Sequence, residues 1–369
     1  MIYAEDLLKQ FRKKNIVFYT GVPDSILKSL SFILEKKSKK NHITATNEGS
    51  AISIAIGYHL STKKIPCVYL QNSGLGNAIN PLISLAHNKV YSIPMILLIG
   101  WRGSPKTKDE PQHKAKGAIT KKLLRLLNIN YCELNINKDL KKISKIINIS
   151  KKKNMPIAFL VKNQVLKSKI LKLKTLNRNN FLRRNEVINE IFKNIKNRTN
   201  IISTTGFTSR ELMQIRNIKK HKNGNDFYMV GGMGHTAAVS LGISLNTKKE
   251  TICLDGDGAV LMHLGSLSTV GFFANKNFKH VLFNNNSHES VGGQITHARK
   301  INFKNLSKSL GYKKYFLIKN KNNLKLKLRN FFKAKGPVFM EVIINRGSVK
   351  NLMRPKNLLK IKKKFMNLI

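Results

Sequence analysis

The chain has 369 residues, 41% of them hydrophobic, and a formal net charge of +50 from 68 Lys and Arg against 18 Asp and Glu. This length predicts about two domains, and the apolar fraction argues against wholesale disorder. The N-terminus lacks a basic segment followed by an apolar one, and no apolar run approaches about 18 residues. We therefore expect neither a signal peptide nor a membrane-spanning helix.

The basic residues are spread along the chain together with many Asn and Ile, a composition that an AT-rich genome produces without functional pressure. A small anionic substrate is the simpler expectation, because positive charge raises the local concentration of anions. A basic nucleic-acid-binding protein is the alternative from another class, and we expect neither a nucleic-acid nor a membrane partner. Cys67, Cys132 and Cys253 fall singly in apolar runs, which favours reduced thiols in a cytoplasmic protein.

Short β-branched and apolar runs alternate with helix-length segments along the whole chain. In the first half these runs are 17–22, 42–46, 66–71, 94–100, 129–134 and 156–161. In the second half they are 200–204, 227–230, 251–255, 279–284, 312–318 and 337–344. The pattern predicts two α/β domains, each with a doubly wound parallel sheet and with no central domain between them. We place the domains at 1–168 and 197–350, with a linker at 169–196 and a solvated basic tail at 351–369.

Polar residues follow two neighbouring predicted strands of the second domain. Gly256, Asp257 and Gly258 form a turn after one strand, and Asn284 and Asn285 follow the next strand. Glycines let the backbone approach a phosphate, and Asp and Asn oxygens suit Mg²⁺. Either motif alone is more often a simple turn, but together at the carboxyl ends of strands they predict a metal–diphosphate site.

This pair of motifs resembles the signature of the thiamine-diphosphate-dependent enzymes. The resemblance implies that thiamine diphosphate and Mg²⁺ are the cofactors, with pyrimidine bound by the first domain and diphosphate by the second. It implies that the metal ligands are Asp257, Asn285 and the backbone carbonyl of Ser287. The sequence leaves a one-residue ambiguity between Asn284 and Asn285.

A glycine-rich turn at 231–235 strengthens the resemblance, since the family has Gly-Ser-Met-Gly-His where this chain has Gly-Gly-Met-Gly-His. The resemblance implies that Met233 is the apolar wedge beneath the cofactor and that the Gly231 carbonyl receives the aminopyrimidine amine. Gly232 departs from the usual Ser, which puts one backbone or diphosphate contact in doubt.

Glu48 follows a predicted strand and opens a helix of small residues. A carboxyl group in an apolar pocket has a raised pKa and suits the proton relay that activates the cofactor. Glu48 resembles the activating glutamate of the family's pyrimidine-binding domain. The alternative is a helix-start glutamate that is favoured by the helix dipole.

Other residues at predicted strand ends are candidates for proton transfer or substrate binding. Similarity to the family's 2-oxo acid decarboxylases implies that Asp24 and His113 transfer protons, with solvated loop residues as the alternative. His288, next to the expected metal ligand Ser287, is a third candidate for proton transfer. A purely structural role for this histidine is an equally good alternative. Arg102 and Lys121 are candidates for holding the anionic group of the substrate.

The compact plan resembles the branch of the family that acts on phosphonopyruvate or sulfopyruvate. The matching stretches include GVPDSIL, YLQNSGLGNAINP, TTGFTSREL, LDGDGAVLMHL and SHESVGGQ. Sulfopyruvate enzymes often carry Cys at the position of Asp24 and commonly divide the two halves between chains, which favours phosphonopyruvate. Departures from the pattern are Asn286 for Gly and Glu289 for Asp.

The resemblance implies decarboxylation of phosphonopyruvate to phosphonoacetaldehyde in phosphonate biosynthesis. The alternatives within the family are sulfopyruvate or another 2-oxo acid. Because one half supplies Glu48 and the other the metal site, the resemblance also implies a homo-oligomer with sites between chains.

Overall fold

The structure is a computed structural model that describes residues 1–136, 139–169, 182–219, 221 and 224–369. The chain divides into two compact units, Met1–Leu173 with Val291–Gln294, and Lys174–Ser290 with Ile295–Ile369. The boundary lies outside the described residues, so the expected linker and domain bounds stay predictions. No described helix combines the length and apolar character that crossing a bilayer requires.

The first unit is built on a parallel sheet. Its strands, in chain order, are β1 (Ile2–Tyr3), β2 (Tyr19–Gly21), β3 (His42–Thr44), β4 (Cys67–Gln71), β5 (Ile96–Gly100), β6 (Asn130–Leu134), β7 (Ile157–Val161) and β8 (Leu166–Lys167). Its helices are α1 (Ala4–Lys13), α2 (Lys28–Leu34), α3 (Glu48–Thr62), α4 (Leu75–Pro81), α5 (Pro111–Leu126) and α6 (Leu140–Lys153). Six strands form a parallel sheet in the order β3-β2-β4-β5-β7-β6, and β1 pairs with β8.

Both faces of this sheet are covered by helices. Successive residues of a strand point to opposite faces, so an apolar strand needs a packing partner on each face. In β5, Ile96 and Leu98 pack in one cluster with α1, α2 and α6. Leu97 and Ile99 pack in a second cluster with α3, α4 and α5. Strands that are buried on both faces explain the continuous apolar runs in the sequence.

The second unit repeats this plan. The strands that follow along the chain are β9 (Asn200–Ser203), β10 (Asn225–Tyr228), β11 (Thr251–Gly256), β12 (Phe278–Asn284), β13 (Ser287–His288), β14 (Gln294–Ile295), β15 (Lys314–Ile318) and β16 (Val338–Ile343). The helices are α7 (Arg184–Asn194), α8 (Phe207–Lys219), α9 (Thr236–Leu245), α10 (Asp257–Met262), α11 (Ser266–Phe273), α12 (Phe303–Ser309), α13 (Leu324–Lys333) and α14 (Leu358–Leu368). The six-stranded parallel sheet has the order β10-β9-β11-β12-β16-β15.

The core of the second unit also lies on both faces of its sheet. Ile252 and Leu254 of β11 pack with α7, α8 and α13, whereas Cys253 between them packs with α9, α11 and α12. Each of the twelve predicted runs overlaps a strand of one of the two sheets, so the predicted pair of doubly wound parallel domains is confirmed.

Each sheet has a topological switch point, where consecutive connections leave a strand toward opposite edges of the sheet. The chain runs outward from β2 to β3 and then returns to place β4 on the other side of β2. In the second sheet, β9 likewise lies between β10 and β11. Crevices at the carboxyl ends of such strands are where parallel sheets bind ligands.

The C-terminal segment differs from the expected solvated tail. It forms α14, and Phe365 is buried with its ring 5.4 Å from that of Phe227. Asn225 Nδ2 also donates a 2.9 Å hydrogen bond to the Phe365 carbonyl. Lysines 360 and 362–364 are exposed as predicted, but the buried Phe365 that follows them attaches the helix to β10.

Candidate active site

Asp257 is the first residue of α10, at the carboxyl end of β11. It is 3% exposed, and its Oδ2 accepts a hydrogen bond from Thr296 Oγ1. Burial raises the pKa of Asp257 to about 6, although hydrogen bonds from Thr296 and from the Gly258 and Ser287 amides act in the opposite direction. A nearby divalent cation would stabilise this buried carboxylate in its ionised form.

The two asparagines at the end of β12 have different surroundings. Asn284 Nδ2 donates a 2.7 Å bond to Glu341 Oε1 on β16, so this side chain is directed to the neighbouring strand. Asn285 Oδ1 accepts a 3.0 Å bond from the Ser287 amide, which also bonds to Asp257. The geometry therefore favours Asn285 over Asn284 as the partner of Asp257.

These residues fit a magnesium ion. Asp257, Asn285 and Ser287 present carboxylate, amide and hydroxyl or carbonyl oxygens close together, which is the donor set that Mg²⁺ prefers. Ser287 Oγ is buried and has no hydrogen-bond partner among the described residues. Asn286 has φ 56°, a left-handed conformation that Asn tolerates better than most residues, so its replacement of Gly is accommodated.

The glycine-rich turn of 231–235 lies against this loop. A Cβ on Gly258 would be 3.4 Å from Met233 Cε and 2.7 Å from His288 Nδ1, so both side chains contact the turn after β11. Gly232 has φ 63°, a left-handed conformation that glycine adopts without strain. Burial, and then the charge of His297, lowers the pKa of His288 to about 4.

Glu48 opens α3 in the first unit and is 5% exposed. Asn77 Nδ2 donates a 2.8 Å hydrogen bond to Glu48 Oε2. The carboxyl group packs directly on Gly74, where a Cβ would lie 2.1 Å from Glu48 Oε1. Burial raises the pKa of Glu48, and the Asn77 bond opposes that rise. Glu48 is therefore a buried, oriented acid at the start of a helix.

Asp24 is fully buried and not solvated as a loop residue would be. Its Oδ2 accepts 3.1 Å bonds from the amides of Ile26 and Leu27, and its Oδ1 has no partner among the described residues. It packs on Gly100, where a Cβ would lie 1.9 Å from Oδ2. Burial raises the pKa of Asp24 to about 6, close to the range that proton transfer near neutral pH requires.

Arg102 lies near His113, which is in the first turn of α5. Arg102 forms a bidentate ion pair with Asp109, at 2.8 Å from Nε and 2.5 Å from Nη2. Burial lowers the pKa of His113 to about 4, and the Arg102 charge acts in the same direction. His113 Nδ1 is buried without a partner in the described part of the chain, so the neutral ring has an unused nitrogen.

Two lysines of α5, Lys121 and Lys116, differ in whether a carboxylate pairs with them. Lys121 pairs with Glu133 at 2.5 Å and lies 5.0 Å from the Trp101 ring centroid, so its ammonium group is already engaged, although Glu133 also pairs with Lys162. Lys116, three residues after His113 on α5, is half-buried. Burial lowers the pKa of Lys116, and the charge of Glu48 raises it. The sequence analysis missed Lys116, although its one-turn spacing from His113 was visible.

A buried ion cluster of the second unit was also missed. Arg184, at the start of α7, pairs with Glu211 of α8 and with Glu289, two residues after Ser287. Glu211 belongs to the TTGFTSREL stretch, but no role was predicted for it. The two partners of Arg184 are 27 and 105 residues distant along the chain, so spacing alone gives no signal.

Both halves of the chain match models of known enzyme domains. The N-terminal TPP binding domain of thiamine pyrophosphate enzymes matches residues 1–123, and the C-terminal TPP binding domain of these enzymes matches residues 204–342. The chain thus contains both TPP binding domains of a thiamine pyrophosphate enzyme.

Similarity to whole proteins identifies the branch of these enzymes to which the chain belongs. The chain is 32% identical to phosphonopyruvate decarboxylase of Streptomyces viridochromogenes over 373 residues, covering 96% of this chain and 92% of the relative. It therefore belongs to the phosphonopyruvate decarboxylase family of thiamine-pyrophosphate-dependent decarboxylases.

Sulfopyruvate decarboxylases are more distant relatives over the whole length. The enzyme of Methanosarcina acetivorans is 25% identical over 366 residues, covering 93% of this chain and 92% of that protein. The beta subunit of sulfopyruvate decarboxylase from Methanocaldococcus jannaschii is 36% identical over 130 residues, covering 35% of this chain and 66% of the subunit.

Proposed function

We propose that this chain decarboxylates phosphonopyruvate to phosphonoacetaldehyde and CO₂ with thiamine diphosphate and Mg²⁺, as a step of phosphonate biosynthesis of the 2-aminoethylphosphonate type. The observation that carries the proposal is the similarity to a phosphonopyruvate decarboxylase over nearly the whole of both chains. The buried carboxylates of Glu48, Asp24 and Asp257 support it, because each occupies an environment suited to proton transfer or cation binding.

The second unit is proposed to hold the metal and the diphosphate. Asp257, Asn285 and the Ser287 carbonyl are the proposed Mg²⁺ ligands. The diphosphate is proposed to lie at the start of α10, because helix N-termini favour phosphate oxygens. Met233 contacts Gly258 and is proposed to support the cofactor from below.

Thiamine diphosphate, when bound, would supply the electron sink that decarboxylation of a 2-oxo acid requires. Glu48 is proposed to hold a proton against the pyrimidine ring nitrogen. That role requires a carboxyl group that retains a proton more readily than an exposed one, and burial of Glu48 meets this requirement. Asn77 orients the carboxyl group through Oε2.

Asp24, His113 and His288 are proposed to transfer protons to and from the substrate. With a pKa of about 6, Asp24 is mostly ionised near pH 7 and still accessible to protonation. Both histidines, with pKa values of about 4, are neutral at that pH and are weaker bases than an exposed histidine.

Cationic side chains are proposed to hold the phosphonate. Arg102 and Lys121, the candidates from sequence, are already paired with carboxylates. Lys116 has no such ion pair within the described residues, so we include it as the stronger candidate. The large positive charge of the chain would attract the anionic substrate.

Because Glu48 and Asp257 lie in different units, and because the family resemblance implies shared sites, we propose a homo-oligomer in which chains complete one another's sites. A cytoplasmic location is proposed from the three free cysteines. Light scattering that finds an active, cofactor-loaded monomer would contradict the proposed assembly.

The proposal is tested by Glu48→Gln, which keeps the size of the side chain and removes its acidity. We expect CO₂ release from phosphonopyruvate to fall by about 10²–10⁴-fold. Thermal unfolding and the affinity for thiamine diphosphate with Mg²⁺ should change little. Asp6→Asn, which removes a carboxylate from a surface pair with Lys169, is the matched control and should leave the rate unchanged. Full activity of Glu48→Gln would refute the proposed relay.

Sulfopyruvate is the second candidate substrate, because a sulfopyruvate decarboxylase is related over 93% of the chain. A nucleic-acid-binding protein would instead show salt-dependent affinity for nucleic acid and no need for a cofactor.

A further inference from the structure

A buried ion cluster lies next to the proposed metal loop in the second unit. Arg184 Nη1 is 3.2 Å from Glu211 Oε1, and Arg184 Nη2 is 2.9 Å from Glu289 Oε2. The side chains of Arg184, Glu211 and Glu289 are 6%, 2% and 14% exposed. Charges that are this well shielded from water interact strongly, so the position of the Glu289 carboxylate is well defined.

Glu289 is surrounded by hydrogen-bond donors. Its Oε2 accepts from Arg184 Nη2 and, at 3.0 Å, from Asn285 Nδ2. Its Oε1 accepts from the backbone amide of Gly347. An ionised carboxylate can only accept, and here each of its two oxygens is used.

This arrangement decides which way the Asn285 amide faces. An amide side chain offers a donor on one side and an acceptor on the other, and the two orientations have almost the same shape. With Nδ2 held by Glu289, Oδ1 must face the Ser287 amide and the Asp257 side of the loop. A carbonyl oxygen has two lone pairs, so Oδ1 can accept from Ser287 and still bind a cation.

We propose that Glu289, held by Arg184, is a positioning residue that orients the Asn285 amide so that its oxygen faces the metal. This inference rests on the proposed function, since it concerns the same Mg²⁺ site. Outer partners of this kind commonly change metal affinity by about 10–100-fold when they are mutated.

Glu289→Gln tests the inference, because the new side chain has one donor and one acceptor where three donors must be met. In one orientation, the amide NH2 of the new glutamine faces the Gly347 N–H, so that two donors oppose each other. In the other orientation, this NH2 faces Arg184 and Asn285 Nδ2, which allows the Asn285 amide to rotate by 180°. We expect Mg²⁺ affinity, measured by calorimetric titration at saturating thiamine diphosphate, to weaken by about 10–100-fold. Glu289→Asp keeps two acceptor oxygens and should retain most of the affinity.

Two controls separate orientation from a loss of charge or folding. Glu190→Gln removes a carboxylate from an exposed pair with Lys193 in the same unit and should leave Mg²⁺ affinity unchanged. In an Asn285→Asp background, position 285 presents oxygen on both sides, so orientation no longer matters. Adding Glu289→Gln to that background should then cause less than about threefold loss of affinity, because the two substitutions act through one contact.

The outcomes are distinguishable. If the unaltered chain binds no Mg²⁺ with thiamine diphosphate, the proposed function fails. If it does bind and Glu289→Gln binds equally well, only the orienting role fails. A 10–100-fold loss that persists in the Asn285→Asp background would also overturn that role, since it would then reflect charge alone.

Discussion

Gly74→Ala is predicted to displace Glu48 without changing its chemistry. A Cβ at Gly74 would lie 2.1 Å from Glu48 Oε1 and 2.3 Å from its Cδ. Gly74 has φ −81° and ψ −7°, a right-handed conformation that alanine adopts freely. The added methyl group therefore acts on the carboxyl group and not on the backbone.

The size of the effect follows from the distance that the carboxyl group must move. Ordinary contact begins at 3.4 Å, so the carboxyl group must retreat by more than about 1 Å. A misplacement of about 1 Å at a reacting group costs about 10²-fold in rate. Overpacking of this kind also costs about 1–3 kcal/mol of stability.

The assay is CO₂ release at saturating thiamine diphosphate, Mg²⁺ and substrate, with thermal unfolding measured in parallel. Gly57→Ala is the matched control, because Gly57 lies on the same helix as Glu48 and a Cβ there meets nothing within 4 Å. We expect Gly57→Ala to retain the full rate and Gly74→Ala to lose about 10²-fold while remaining folded. A folded Gly74→Ala variant with an unchanged rate would refute the assignment of Glu48 as the activating acid.

Three further predictions concern charge. Asp24→Asn should alter the pH dependence of stability. In the unaltered protein the pKa of Asp24 is about 6, above the reference value of 3.8, so the free energy of unfolding falls by up to about 3 kcal/mol as the pH rises from 3.8 to about 6. Urea unfolding should show a flatter profile in the variant, and an identical slope in both proteins would contradict this. Arg184→Met leaves two buried carboxylates unpaired and should cost about 3–5 kcal/mol in the same assay, whereas a loss below about 1 kcal/mol would show that the cluster is not buried in solution. Lys116→Met should raise KM for phosphonopyruvate about tenfold, with the exposed Lys114→Met as control, and equal KM values would exclude Lys116 from substrate binding.

Much of the fold could be predicted because parallel strands buried on both faces read as short apolar runs. Each such run overlaps a strand, and the switch points place Asp257 and the loop after β4 at sheet edges where ligands commonly bind. The attachment of the C-terminal helix was not predicted, because lysines dominate that segment and the burial of Phe365 depends on its contact with Phe227.

The local detail of the site required three-dimensional contacts. The choice between Asn284 and Asn285 follows from their different partners, since one faces Glu341 on β16 and the other faces Glu289. The Arg184 cluster joins residues 105 positions apart, and no local periodicity reports such a contact. The raised pKa of Asp24 comes from burial on Gly100, which sequence spacing does not reveal.

The most direct test of the account is a comparison of CO₂ release from phosphonopyruvate, sulfopyruvate and pyruvate, with and without thiamine diphosphate and Mg²⁺. We predict that phosphonopyruvate has the highest kcat/KM and that turnover requires both cofactors. Equal or faster turnover of sulfopyruvate would contradict the proposed substrate, and turnover without thiamine diphosphate would contradict the proposed chemistry.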